Sequence, residues 1–287
     1  MTTSIRIALL LAMAGALAAA GAPANAQDAA VAAACAADKS PKIKEIKDRG
    51  VLRWAVGIAA PFAAKDASNK YVGADPESAQ ELATILGTKL ELNDYSYNLL
   101  PPTVATGVAD IAGTLYITEE RRKVLDFSKP WQQDGQLFVV LDKRSDLTSL
   151  DDLNKEGVKV ITRIGSGQVD LARKLLPTAQ IITAEVIPGG EAQYLLTGQA
   201  DATIVDAVSS PLLQKAAGDV KVRMIGQNGS VEGGPEEGDL IEPFDNGFGV
   251  AKGDQGFIDC LDAWVTEGVA AGRFHARFVK WVEELTK

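Results

Sequence analysis

The chain has 287 residues, of which 46% are hydrophobic and 23% are charged, and its formal net charge is −9. These proportions are typical of one large or two ordinary globular domains, and they exclude disordered, collagen-like and small disulfide-rich chains. An acidic chain is unsuited to nucleic acid, because phosphate binding needs clustered Lys and Arg. A single histidine leaves little for zinc or triad chemistry. We therefore expect a binding protein without catalysis, metal or cofactor.

The first 26 residues predict an export signal. Arg6 precedes an apolar run over residues 7–20, which is followed by Pro23 and by the small residues 24–26. A charged start, a short apolar stretch and an A-x-A end are typical of a secretory signal. The run is shorter than the roughly 20 residues that a membrane-spanning helix needs. We expect cleavage after Ala26 and export to the periplasm.

The two cysteines, Cys35 and Cys260, lie near opposite ends of the exported part. Two cysteines in an exported chain favour one disulfide, which would tie the N-terminal arm to the C-terminal helix. Two alternatives stay open from the sequence alone. The cysteines can be unpaired buried thiols, or Cys35 can carry a lipid, which the polar residues between it and the apolar run disfavour.

Short apolar strands alternate with helices in the first part of the chain, a pattern that favours a mostly parallel sheet. One helix is marked by Pro76 in its first turn and by Gly87 at its end. The predicted elements are a strand over 51–57, a helix over 75–86, a strand over 89–92, a helix over 99–106 and a strand from 110.

The same order recurs further on, with strands over 158–161 and around 181–182 and helices over 168–176 and 191–196. The segment 106–110 (TGVAD) is echoed by 197–201 (TGQAD), each between a helix and a strand. A glycine that ends a helix explains both copies. The matched order predicts two equivalent α/β lobes.

Two segments, 137–141 and 247–251, are predicted to cross between the lobes. The Gly-rich acidic stretch 227–238 predicts a mobile loop before the second crossover. Aromatic residues at helical spacing after 254 predict helices that pack into the core. We expect lobe 1 to comprise residues 27–138 and 246–287, and lobe 2 to comprise residues 139–245.

The segment 110–121 (DIAGTLYITEER), followed by 125–128 (LDFS), resembles the solute-binding proteins of amino-acid ABC importers, family 3. The segments 73–77 and 247–254 resemble that family as well, although Ala74 replaces its usual aromatic residue. The resemblance covers about residues 45–287. It implies the two-lobed type II periplasmic-binding-protein fold, a free amino acid bound in the inter-lobe cleft, and delivery of that ligand to a membrane permease.

The resemblance also implies how the ligand is held. Arg121 would bind the ligand carboxylate through a bidentate guanidinium, with Tyr116 donating its backbone N–H. The Thr114 carbonyl would accept from the ligand ammonium. The alternative for Arg121 is a solvated position at a helix start.

Lobe 2 would supply the remaining contacts. N–H groups at the turn of Ser166 and Gly167 would bind the same carboxylate, because a helix N-terminus attracts anions; the alternative is an ordinary turn with Ser166 as helix cap. Asp206, at a strand end, would bind the ammonium; its alternative is also a cap.

The pocket walls imply the class of ligand. Tyr97 would stack on the ligand, and Phe62 and Leu115 would wall the pocket. We hypothesise that Arg163 pairs with an acceptor on the ligand side chain, favouring acidic or amide amino acids over Lys and Arg; the alternative is a surface arginine.

The favoured function is a monomeric transport receptor that closes around its ligand by a hinge motion. Cyclohexadienyl dehydratases share the resemblance and are the enzymatic alternative, but Ser209 stands where they place a catalytic glutamate. The third hypothesis is an accessory or sensory periplasmic protein.

Overall fold

The computed structural model of the protein describes residues 24–186, 189–231 and 235–286. The predicted signal peptide therefore lies outside the described residues except for residues 24–26. The strands in chain order are β1 (Val51–Val56), β2 (Ala64–Lys65), β3 (Tyr71–Val72), β4 (Lys89–Asp94), β5 (Ile111–Tyr116), β6 (Leu125–Phe127), β7 (Gln132–Leu141), β8 (Lys159–Arg163), β9 (Gln180–Ala184), β10 (Ala202–Asp206), β11 (Val222–Gly226), β12 (Gly229–Val231) and β13 (Ile241–Ala251).

The α-helices are α1 (Ala24–Ala34), α2 (Pro41–Arg49), α3 (Ala74–Leu86), α4 (Leu100–Ala105), α5 (Glu119–Arg122), α6 (Leu150–Leu153), α7 (Gln168–Leu175), α8 (Glu191–Leu196), α9 (Ser210–Ala217), α10 (Gln255–Ala270) and α11 (Arg273–Thr286). Four of them, α3, α4, α7 and α8, lie within one or two residues of the predicted bounds. Among the described residues, none of these helices is both long and apolar enough to cross a lipid bilayer.

The central sheet has the order β4-β1-β5-β13-β7-β10-β8-β9. Strands β4, β1 and β5 run parallel in lobe 1, and β10, β8 and β9 run parallel in lobe 2. The long strands β7 and β13 lie between these two groups and pair antiparallel with each other. The predicted two-lobed α/β fold is confirmed, while the predicted lobe boundaries stay a prediction.

The sequence echo between 106–110 and 197–201 marks equivalent positions in the two lobes. Gly107 and Gly198 end α4 and α8 with left-handed backbones, at φ 75° and 71°. The aspartate three residues later accepts a backbone N–H from the first strand of its lobe in both cases. Asp110 accepts from Arg53 at 2.9 Å and Asp201 accepts from Lys159 at 2.8 Å. The repeated sequence therefore has the same structural role in both lobes, where it anchors the end of a helix to a strand.

The two ends of the described chain pack on lobe 1. A disulfide joins Cys35, just after α1, to Cys260 in α10, as predicted, and both cysteines are buried. Because Cys35 is bonded to Cys260, the thiol and lipid alternatives do not apply. The last helix, α11, also reaches lobe 2, where the Lys215 ammonium donates to the Leu285 carbonyl at 2.8 Å.

The stretch 227–238 differs from the predicted loop. Strand β12 lies inside it and pairs antiparallel with β11 through Met224 and Val231. Residues 232–234 of the stretch lie outside the described residues. This strand was not predicted, because Gly229, Ser230 and Val231 carry little of the apolar pattern that marks a strand.

Candidate functional site

A cavity lies between the two lobes. Its volume is about 60 Å³, which suits a small solute. Its wall combines side chains of both lobes, and its ionisable members are Tyr97, Tyr116, Arg121, Arg163, Glu191 and Asp206.

Direct contacts hold the lobes together around this cavity. Arg163 Nη1 of β8 donates to the Ile58 carbonyl at 3.4 Å, and Ser209 Oγ donates to the Ala60 carbonyl at 3.2 Å. The Tyr116 hydroxyl at the end of β5 donates to Asp206 at the end of β10. These contacts join lobe 1 directly to lobe 2 at the cavity, so the described arrangement is a closed one.

Arg121 brings an uncompensated positive charge to the cavity. It lies in α5, which begins after Thr118 caps the helix, and its side chain turns back toward β5. There Nη1 donates to the Tyr116 carbonyl at 3.0 Å, and the guanidinium lies 5.7 Å from the centre of the Tyr116 ring. Within the described part of the chain, no carboxylate oxygen lies within 4.0 Å of it. Burial lowers the pKa of Arg121, and a bound anion would offset that cost.

The two carboxylate oxygens of Asp206 differ in their hydrogen bonds. Its Oδ1 accepts from Gln136 Nε2 at 2.7 Å, from Gln168 Nε2 at 3.0 Å and from the Tyr116 hydroxyl. For Oδ2, the described residues contain no hydrogen-bond donor in reach. Burial raises the pKa of Asp206, although these three hydrogen bonds oppose the rise. The site therefore holds one oxygen in place and leaves the other for a cationic group.

A second buried carboxyl group, Asp134 on β7, lies close enough to interact with Asp206. It accepts from the Gly135 N–H at 2.8 Å. Burial, followed by the nearby Asp206 charge, raises the pKa of Asp134 well above its usual range. Burial and the closeness of the two groups therefore disfavour two negative charges in this pair.

The turn before α7 offers backbone donors. Ser166 Oγ donates to the Arg163 carbonyl at 2.7 Å, so Ser166 does not cap the helix; the cap position is Gly167, without a side-chain hydrogen bond. In the described segments, neither the Gly167 N–H nor the Gln168 N–H donates to an acceptor. Both N–H groups lie at the positive end of α7 and are available to an anion in the cavity.

Thr114 is held in place by a buried acid in the first turn of α3. The Asp75 carboxylate accepts the Thr114 N–H at 2.8 Å and the Thr114 hydroxyl at 2.5 Å. Asp75 is only 2% exposed, and burial raises its pKa to about 6. This contact ties the cavity-lining end of β5 to α3.

Arg163 has a counter-ion that the sequence did not reveal. Its Nη2 lies 3.6 Å from Glu191 Oε1, at the start of α8. The predicted alternative of a surface arginine is wrong, because Arg163 lines the cavity. Its pairing with a ligand acceptor stays a prediction, with the difference that Glu191 already offsets its charge.

The structure gathers nine of the ten predicted site residues around the cavity: Phe62, Tyr97, Thr114, Tyr116, Arg121, Arg163, Ser166, Gly167 and Asp206. The prediction for Leu115 is wrong. Its side chain is fully buried among Ala55, Leu100 and Val104 in the core of lobe 1. Side chains alternate along a strand, so Leu115 faces away from the side of β5 that Thr114 and Tyr116 present to the ligand.

Four polar residues at the site were missed: Gln136, Gln168, Glu191 and Asn246. Gln136 and Asn246 lie on the crossover strands β7 and β13, and both are buried. The available signal was that each is a polar residue directly before the apolar run of a predicted crossover segment. Among the described residues, no cluster of three or more His, Cys, Asp or Glu side chains is arranged to hold a metal ion.

Comparison with known proteins identifies the family. Residues 52–284 match the model of bacterial extracellular solute-binding proteins, family 3. A cyclohexadienyl dehydratase of Pseudomonas aeruginosa is 30% identical over 64% of this chain and 69% of that protein. A glutamine-binding protein of Geobacillus stearothermophilus is 36% identical over 57% of this chain and 64% of that protein.

Solved structures agree with the sequence matches. An ancestral amino acid-binding protein, described as a precursor of cyclohexadienyl dehydratase, has a TM-score of 0.72 and 30% identity, covering 84% of this chain and 99% of that one. An amino-acid ABC transporter substrate-binding protein of Streptococcus pneumoniae, bound to L-arginine, has a TM-score of 0.71 and 26% identity, covering 85% and 99%. The chain therefore belongs to the bacterial extracellular solute-binding proteins of family 3, which include amino-acid-binding components of ABC transporters.

Proposed function

We propose that the protein is a receptor that binds one free amino acid between its lobes. The observation that carries the proposal is a pair of opposite, incompletely satisfied charges in one cavity. Arg121 has no carboxylate partner in the described residues, and Asp206 keeps one oxygen free. A free amino acid carries a carboxylate and an ammonium a few ångströms apart, and it would satisfy both charges at once.

Each ligand group has several partners in this arrangement. The carboxylate binds the Arg121 guanidinium and the free N–H groups of Gly167 and Gln168. The ammonium binds Asp206 Oδ2 and the Thr114 carbonyl. Because Arg121 and Thr114 belong to lobe 1 while Asp206 and Gly167 belong to lobe 2, a complete site exists only when the lobes are together.

Closure about the two crossover strands follows from this division of contacts. A ligand that gains its full contacts only in the closed form shifts the population toward that form. Strands β7 and β13 are the continuous links between the lobes and serve as the hinge.

We further propose that the mature protein acts in the periplasm as a monomer and delivers its ligand to the permease of an ABC importer. The family description, the A-x-A signal pattern and the Cys35–Cys260 disulfide support an exported protein. Loss of the gene should lower uptake of the ligand by cells. Unchanged uptake with intact ligand binding would favour the accessory or sensory role.

The favoured ligands have acidic or amide side chains. Arg163 supports this class because it brings hydrogen-bond donors to the cavity wall beside Tyr97 and Phe62.

A thermal-shift screen of the exported part of the chain, from Gln27, against the twenty amino acids tests the proposal. Ligand at a hundred times its dissociation constant adds about 2.7 kcal/mol to the free energy of unfolding. The melting temperature should rise by several degrees, at about 2–4 °C per kcal/mol. The rise should be lost in Arg121→Ala and kept in Arg122→Ala, an exposed neighbour of the same type. No shift with any amino acid would contradict the proposal.

The enzymatic alternative has one observation in its favour, the similarity to a cyclohexadienyl dehydratase. Ser209 disfavours it, because its hydroxyl donates to the Ala60 carbonyl and provides no acid. Adding prephenate and arogenate to the screen, with product detection, tests it directly. We expect no turnover, and turnover would overturn the non-catalytic assignment.

A further inference from the structure

Arg163 and Glu191 form a loose pair in the cavity wall. Their closest atoms, Nη2 and Oε1, are 3.6 Å apart, and their side chains are 20% and 5% exposed. Each keeps a buried polar atom without a hydrogen-bond partner in the described part of the protein: Nε of Arg163 and Oε2 of Glu191. Leaving such buried atoms unsatisfied is costly, because they lose their hydrogen bonds to water and gain none in return. The pair thus has one donor atom and one acceptor atom that are buried and lack a hydrogen-bond partner.

The charges that line the cavity divide into two sets. Arg121 and Asp206 serve the carboxylate and ammonium that every amino acid shares. Arg163 and Glu191 remain, and their charges cancel. A carboxylate placed against this pair meets Glu191, whose pKa is already raised by burial, and a cationic side chain meets Arg163. Either ligand would add a like charge in a desolvated place.

We propose that Arg163 and Glu191 are the specificity pair of this receptor and that they select an uncharged carboxamide side chain. The carboxamide oxygen accepts from Arg163, and its NH₂ group donates to Glu191. This inference rests on the proposed function and narrows its ligand class from acidic or amide side chains to the amides, glutamine and asparagine.

The pair should reject both acidic and basic side chains, for a physical reason. A site that uses both a donor and an acceptor rejects ligands lacking either one, because its buried groups are then left unpaired. Removing one member of the pair leaves the other as a full charge in the wall. Glu191→Gln should therefore create a site for an acidic side chain, and Arg163→Gln should create one for a basic side chain.

Isothermal titration of Gln, Asn, Glu, Asp, Lys and Arg into four proteins tests the proposal: the unaltered protein, Glu191→Gln, Arg163→Gln and the control Glu156→Gln, an exposed lobe-2 glutamate. The unaltered protein and the control should bind an amide at least tenfold more tightly than its matching acid. Glu191→Gln should bind the acid at least as tightly as the amide. Arg163→Gln should gain at least tenfold for Lys or Arg relative to the amide.

Opposite shifts of ligand preference in the two variants would show that the pair recognises the ligand side chain. A merely structural ion pair would instead weaken the binding of all ligands together in both variants. Circular dichroism and melting curves identify a variant that fails to fold, and the other variant then carries the test. An unaltered protein that prefers an acid, or a Glu191→Gln variant that keeps the amide preference, overturns the inference while amino-acid binding stands. If no amino acid binds the unaltered protein, the proposed function itself fails.

Discussion

The two lobes share a topology and differ in the interactions that stabilise their cores. Lobe 1 has a disulfide and a core built from large rings, in which Trp54, Phe248 and Trp264 pack within 5.3 Å of one another in successive pairs. The core clusters of lobe 2 are mostly aliphatic, with Phe138 as their aromatic member, and no disulfide joins the described parts of this lobe.

The lobes also differ in the charge that each brings to the ligand. Lobe 1 brings Arg121 without a counter-ion, and lobe 2 brings Arg163 with Glu191 beside it. A cation without a counter-ion at a partly buried position is costly. Under the proposed function, lobe 1 binds the shared carboxylate through Arg121. Lobe 2 binds the shared ammonium through Asp206 and also reads the side chain through the pair of Arg163 and Glu191.

Removing the disulfide should have the largest effect on the difference between the two lobes. The bond closes a segment with a sequence separation of 225 residues, and for a loop of that length the chain-entropy model gives about 5 kcal/mol. Cys35→Ala with Cys260→Ala should lose up to that much unfolding free energy in urea titrations. The order of ligand affinities should not change, since neither cysteine lines the cavity. Reduced wild-type protein should melt like the double variant, and an unchanged melting temperature would contradict the account.

The buried Asp75 should make lobe 1 sensitive to pH. Its folded pKa of about 6 lies above the ordinary aspartate value of 3.8. Folding therefore favours the protonated acid, and stability from this group is full below about pH 4 and falls as pH rises to about 6. About two pKa units correspond to about 3 kcal/mol.

Asp75→Asn removes this slope. Unfolding by urea at pH 4 and at pH 7 should show the variant gaining about 3 kcal/mol relative to wild type over that interval. Asp219→Asn, an exposed lobe-2 change, should leave the wild-type slope intact. Parallel pH curves for wild type and Asp75→Asn would show that Asp75 is ionised at all these pH values.

The smallest effect should come from a contact between the lobes. Ser209→Ala removes the hydrogen bond to the Ala60 carbonyl, which is worth about 1 kcal/mol. If only the closed form binds, ligand affinity should fall about fivefold in calorimetry. Ser145→Ala, at an exposed position of lobe 2, is the matched control. Equal affinities for the two variants would mean that this contact does not contribute to closure.

Local patterns were enough to predict most of the fold. Glycines such as Gly87 and Gly107 end their helices in the left-handed conformation, as the sequence indicates. The strand pattern also located Asp206 at the end of β10. These features depend on neighbours in the chain, which is why sequence reasoning reaches them.

Contacts between distant segments were harder to predict. Glu191 looks like an ordinary acid in a first helical turn, and only the fold brings it beside Arg163. Gln136 likewise meets Asp206 across 70 positions of sequence. Leu115 is different, because strand alternation alone would have placed it opposite Thr114 and Tyr116.

We propose above all that Arg121 binds the ligand's α-carboxylate while Asp206 binds its ammonium. The most direct test is a calorimetric cycle with the tightest-binding amino acid, its carboxyl-blocked amide derivative, the wild type and Arg121→Ala. In the wild type, blocking the carboxylate should weaken binding by about thirtyfold or more, since breaking a buried charge pair costs about 2–5 kcal/mol. In Arg121→Ala the two ligands should bind within a few-fold of each other, because the partner is already gone. An equal penalty for blocking in both proteins would show that Arg121 does not bind the carboxylate.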